Sequence, residues 1–148
     1  MADLNLLDFY KDAATALLQL QLTFPRKVEL YVEDLIGPDH VDEFGLHSKR
    51  HDACFGTLLW LAEEGYLRYQ TNIRQEAIDQ AILSGKSLVL LNGVIDAPVY
   101  DAPEIQLSDF EMRERQTLVE HMRRAIKAES SEQLATVMRI FFERGRTA

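Results

Sequence analysis

Apolar positions recur every three or four residues at the start of the chain: Leu7, Tyr10, Ala14, Leu17 and Leu18 share one helical face, which Gln21 continues. Neither Gly nor Pro intervenes before Pro25, so a first helix with Asp3 as its N-cap is expected. The stretch "FPRKVELYVEDLIGPD" predicts a turn at Phe24 and Pro25, an extended piece through Leu30 and a brief helix closed by Gly37 and Pro38. A polar, acidic loop follows from Pro38 to His47. The next helix is expected from about Lys49 to Glu64, with Ser48 as N-cap, Cys54, Phe55, Leu58, Leu59, Leu61 and Ala62 turned inward, and Gly65 at the left-handed position past its end.

Beyond Gly65 the period changes from helical to alternating. "GYLRYQT" alternates around Tyr66, Leu67 and Tyr69, and "EAIDQAILS" carries Ile78 and Ile82, which predicts a β-hairpin with its tip near Asn72 to Gln75. A helix from Gln75 to Leu83 is the competing reading. Ser84 is expected to cap a short helix that ends at Gly93, and residues 94–107, with Pro98 and Pro103, read as a linker. Ser108 and Glu111 form a capping box with Leu107 and Met112 as hydrophobic staple, so a long helix is expected from there to about Ala128. A last helix starts after Ser130 and Gln133 and stops at Gly145, giving a C-terminal α-hairpin. The domains expected are 1–93, with the linker 94–107 and the helical hairpin 108–148.

With 148 residues and 47% hydrophobic content the chain can bury a core of its own. No apolar run approaches the roughly 18 residues that cross a bilayer, and no secretory leader opens the chain, so a cytoplasmic protein with no membrane partner is expected. The lone Cys54 excludes an internal disulfide. The net charge is −8, divided as −2, −4 and −2 over residues 1–25, 26–93 and 94–148, so no segment is a basic tail. Nucleic acid would have to be met by a local patch.

Helix, short strand, short helix, helix, two-stranded hairpin is the element order of a winged helix-turn-helix domain. "TLLWLAEEGYLRY", Thr57 to Tyr69, resembles the end of the recognition helix and first wing strand of MarR-like and PadR-like regulators. "ILSGKSLVLLN", Ile82 to Asn92, resembles the second wing strand and the start of the following helix. The resemblance runs from Leu17 to Asn92, and the C-terminal hairpin is similar to a PadR-like dimerisation arm. It implies a mostly α fold with a small β-hairpin, in the α+β class, and a homodimeric DNA-binding transcriptional regulator that is not an enzyme. Its alternative is a winged-helix module that contacts another protein, because this fold alone does not specify DNA.

In such a domain the recognition helix enters the major groove by its N-terminal residues while the wing meets the adjacent backbone. The resemblance therefore implies Lys49, Arg50, His51 and Thr57 as base-facing candidates and Arg68, Arg74 and Gln75 as wing candidates, with Arg26 and Lys27 near phosphate. From His47 to Gln75 the net charge is only +1. The loop Pro38 to His47 is also longer than a helix-turn-helix turn.

Other chemistry is weakly marked. His40, His47, His51 and Cys54 lie within fifteen residues, and imidazole with thiolate suits zinc. Without a CxxC pair or an HExxH helix they read as solvated histidines and a packed cysteine, and neither metal nor cofactor is expected. "SGKS", Ser84 to Ser87, lacks the glycine of a phosphate-binding loop, since Gln80 stands there. No nucleophile elbow occurs.

Overall fold

The opening periodicity becomes helix α1, Leu4–Thr23. Ala13, Ala14, Ala16, Leu17 and Leu20 are buried along it, and the alanines let neighbouring elements approach its backbone. The computed structural model describes residues 4–95 and 107–147. They fall into two compact units, Met1–Gly85 and Lys86–Ala148.

In the first unit, α1 leads to strand β1, Val28–Tyr31, and to a one-turn helix α2, Val32–Ile36. Gly37 closes α2 at φ 91°, a conformation that a side chain would oppose. The acidic loop is folded by its own carboxylates. Asp42 Oδ1 accepts the amides of Phe44 and Leu46, each at 2.9 Å. Helix α3, Lys49–Glu63, then starts where Ser48 accepts the amide of His51 at 3.1 Å. It ends in paired bonds from Gly65 N to Ala62 O and from Tyr66 N to Leu61 O, with Gly65 at φ 83°.

Strand β2 is Leu67–Arg68, β3 is Thr71–Ile73 and β4 is Ala77–Leu83. The alternative helix over Gln75 to Leu83 does not form. β4 is the hub of a four-stranded antiparallel sheet, with β1 along one edge and β2 and β3 along the other. Gln80, at φ 54°, lies where the β1 register shifts, so β4 carries an extra residue there. The β3–β4 turn places Arg74 and Gln75 at φ 52° and 60°, the doubly left-handed turn that matches strand twist. Asn72 Oδ1 supports it by accepting the amide of Gln75 at 2.7 Å.

The second unit contains α4, Gly85–Leu91, from its second residue on, then α5, Asp109–Arg115, α6, Leu118–Lys127, and α7, Ser131–Gly145. The single long helix expected from Ser108 to Ala128 is thus two. Ser108 does cap α5, but the helix stops at Gln116, and Thr117 caps α6 by accepting the amide of Glu120. Residues 93–95 hold the break open: Leu118 N donates to Gly93 O at 2.8 Å, and Ile95 N donates to Gln116 O at 3.0 Å. These bonds replace helical ones that a continuous helix would require. α6 and α7 pack as an α-hairpin, burying Leu118, Met122 and Ala125 on one helix and Leu134, Val137, Met138 and Phe141 on the other. The expected linker, apart from its ends, lies outside the described residues.

The architecture is mostly helical with a small antiparallel sheet, an α+β fold. Among the described residues, no helix is long and apolar enough to cross a membrane.

Candidate functional site on helix α3 and its preceding loop

Helix α3 turns few basic side chains outward. Cys54, Phe55, Leu58 and Leu61 face the core as expected. Thr57, expected on the opposite side, is only 6% exposed, because α1 packs on that flank of α3. Its hydroxyl donates to Ala53 O at 3.0 Å, a local bond that removes it as a donor to a base. The outward positions are Lys49, Asp52, Ala53, Gly56, Trp60 and Glu63. One cation against two carboxylates gives this face no positive field.

Arg50 is committed inside the protein. Its two terminal nitrogens donate to the two carboxylate oxygens of Asp12, both at 2.6 Å, and Asp8 approaches Nε at 3.7 Å. Asp12 is 2% exposed on α1, so the bidentate guanidinium compensates a buried carboxylate. The pairing also raises the Arg50 pKa, chiefly through the hydrogen bond to Asp12. Beside this pair a groove of about 480 Å³ runs between α1 and α3, walled by Asp8, Phe9, Asp12, Ala53, Gly56 and Trp60. The small residues Ala53 and Gly56 make its floor low. Phe9 and Trp60 meet edge-to-face with ring centres 5.2 Å apart and keep one wall aromatic.

At the N-terminus of α3 the histidines are not free in solvent. His47 Nδ1 donates to Asp39 Oδ2 at 2.9 Å, and its Nε2 lies 3.7 Å from Glu76. His51, 1% exposed, stacks on His47 with ring centres 3.7 Å apart and planes 5° from parallel. Its Nε2 lies 2.9 Å from the carbonyl of Gln75 at the hairpin tip. A carbonyl can only accept, so this nitrogen carries a proton, and Nδ1 is the ring's remaining site for a lone pair, a second proton or a cation. That Nδ1 is buried without a hydrogen-bond partner and faces Asp39 Oδ2 at 3.8 Å. Hydrogen bonds from Ser48, side chain first, and from His47 hold the Asp39 carboxyl well below the usual range, against the effect of burial. Asp39, His47 and His51 bring one donor atom each within 4.8 Å of one another.

The solvated-histidine expectation therefore suits exposed His40 but not His47 or His51. Cys54, their sequence neighbour, stands apart: it is fully buried, and desolvation, followed by the nearby Asp12 charge, pushes its thiol up to about 12. It packs as a small apolar residue. Of the wing candidates, Arg68, Arg74 and Gln75 are exposed on or beside the hairpin, as are Arg26 and Lys27 before β1. Lys27 and Arg68 share a shallow pocket with Tyr69 and Gln80. Sequence reasoning did not single out Asp39 or Asp12. Their signal would have been an acidic residue with no solvent-facing period, Asp12 between apolar Tyr10 and Ala14, and Asp39 between a helix-breaking proline and two histidines. No family model, curated protein or solved structure matches this chain.

Proposed function

We propose that the first unit is a winged-helix module that binds a protein partner on α3 and the α1–α3 groove, rather than a reader of DNA. The element order α1, β1, α2, α3 and then a hairpin, with β1 paired to the last strand, supports the winged-helix part of this reading. The observation that carries the functional part is the state of the four recognition-helix candidates. Arg50 is locked to Asp12, His51 and Thr57 are buried, and Lys49 alone projects, beside Asp52. A major-groove helix needs donors on its outer face, and this one offers a low, partly aromatic, partly acidic surface.

That surface suits a partner segment that places a Lys or Arg stem against Trp60 and Phe9 with its charge toward Asp8. Val41, Phe44 and Leu46, in the loop before α3, are further exposed apolar side chains of the same unit. The fold performs no chemistry in this reading; it presents a rigid helix.

Two measurements test it. Titration with duplex DNA at low and at raised salt is expected to show no binding in either condition. A displayed library of basic, amphipathic peptides selected on the whole chain is expected to yield binders that Trp60→Ala or Asp8→Asn weakens about tenfold or more. DNA retention that falls steeply with salt, and that Lys49→Ala combined with Arg74→Ala abolishes, would overturn the proposal in favour of a DNA-binding regulator.

A further inference from the structure

The α3 face leaves one cluster unused. Asp39, His47 and His51 belong to no part of the proposed groove, yet they are more tightly organised than any surface histidines need to be. We propose that Asp39 Oδ2, His47 Nδ1 and His51 Nδ1 form a binding site for a divalent transition-metal ion of the zinc class.

Three features carry this. The donor set is two imidazole nitrogens and one carboxylate oxygen, which suits zinc and its first-row neighbours rather than calcium or magnesium. The second is the orphan Nδ1 of His51. A buried lone pair directed at a carboxylate 3.8 Å away is a repulsive arrangement unless something positive lies between them. A proton on Nδ1 would be too far from Asp39 Oδ2 to make a good hydrogen bond, whereas an ion with bonds of about 2.0–2.2 Å to each spans that gap. The third is the outer shell. His51 already donates its other ring nitrogen to Gln75 O, the arrangement that fixes a ligating histidine in its required tautomer.

His47 needs two changes to join: an imidazole lone pair lies in the plane of its ring, and two parallel rings 3.7 Å apart cannot aim theirs at one ion, so the partly exposed His47 ring must turn out of its stack on His51, and its tautomer must change. In the structure its Nδ1 proton bonds Asp39 at 2.9 Å; on binding, the neutral ring changes tautomer through solvent, giving up the proton on Nδ1 and taking one on Nε2, and the metal takes the place on Nδ1. The Nε2–H then lies 3.7 Å from the Glu76 carboxylate, whose charge favours a proton on that nitrogen. His47 is 20% exposed, so water reaches the open coordination position from its side. The ion would tie together the loop before α3, the first turn of α3 and the tip of the β3–β4 hairpin, through Asp39, His51 and Gln75.

The test uses the whole chain stripped with a chelator and then titrated with Zn²⁺ against a chromophoric competitor, and separately with Co²⁺. The expected result is one ion per chain, visible Co²⁺ absorption of a low-coordinate site, and a raised Tm with Zn²⁺. His47→Ala and Asp39→Asn are each expected to weaken binding at least about 100-fold and to remove the Co²⁺ bands. His51→Gln should do the same, but it disturbs a buried position; His47→Ala, at a partly exposed one, keeps the test decisive should that variant fail to fold. His40→Ala, in the same loop, is expected to change nothing. Absence of Co²⁺ bands in the folded wild type would overturn the site, as would Zn²⁺ binding that survives unchanged in His47→Ala and Asp39→Asn.

Discussion

Each compact unit buries one histidine, and the two are treated in opposite ways. In the first unit His51 lies 3.8 Å from the Asp39 carboxylate, stacks on His47 and bonds the carbonyl of Gln75. In the second unit His121 is fully buried on α6, and burial followed by the adjacent Arg124 pushes its pKa down. The same side chain is thus a candidate ligand in one place and an enforced neutral core residue in the other. Residue type does not set the role. What surrounds the ring does, and the surroundings come from elements distant in sequence.

The same contrast extends to the arginines. Arg50 neutralises Asp12 in the first unit, whereas Arg124 sits near His121 and donates through Nη2 to Arg115 O at 2.5 Å. The sharpest way to break the comparison is to remove the cation of the first unit. Arg50→Ala leaves the Asp12 carboxylate, 2% exposed, without its bidentate partner, and is expected to destabilise the first unit by about 3 kcal/mol or more. Asp12→Ala is expected to cost far less, about 1 kcal/mol, because Arg50 is a third exposed and can turn its charge to water. Denaturant unfolding followed by Trp60 emission measures both, since Trp60 is the only tryptophan and lies on α3. Equal losses would show that the guanidinium stem, rather than the charge, holds the helices.

His121 and Asp39 also predict a difference in acid response between the two units. His121 is held below its ordinary 6.5, so between the two values the unfolded chain binds a proton that the folded chain refuses. Its contribution to stability is therefore complete above 6.5 and is lost as pH falls below it. Asp39 is held below its ordinary 3.8, so its contribution remains until pH falls below that value. On acid titration the helical signal of α6 and α7 should weaken before Trp60 emission changes. His121→Leu should reduce that early loss, measured as the pH dependence of Tm. Loss of Trp60 emission first would reverse the assignment.

How much of this was legible in the sequence follows from how local each cause is. The caps at Ser48, Ser108 and Ser130, the Gly65 stop and the alternation that gives β4 are decided within a few residues, and they read correctly. The break at Thr117 has a local sign, since Thr117 and Glu120 repeat the capping spacing, but what enforces it is the backbone of residues 93–95. The site was less legible. The winged-helix resemblance groups Lys49, Arg50, His51 and Thr57 on one surface, but three contacts separate them: α1 covers Thr57, Asp12, 38 residues away, takes Arg50, and the hairpin carbonyl of Gln75 takes the buried His51. Asp39 lies in a loop whose course no periodicity describes, and only the folded chain places it against His51.

The left-handed residues supply the finest comparison between the units. α3 and α6 end in the same paired hydrogen bonds, but α3 places Gly65 at the left-handed position and α6 places Glu129 there, at φ 53°. A side chain in that conformation costs roughly 1 kcal/mol relative to glycine, although glycine loses part of this through the freedom it brings to the unfolded chain. Glu129→Gly is therefore expected to stabilise the second unit by about 0.5 kcal/mol, and Gly65→Glu to destabilise the first by about 1 kcal/mol. Thermal unfolding of the two variants against wild type measures the pair. Glu129 is exposed, so a fall in stability on Glu129→Gly would mean that the terminus is held by its side chain rather than by the two backbone bonds from Glu129 and Ser130.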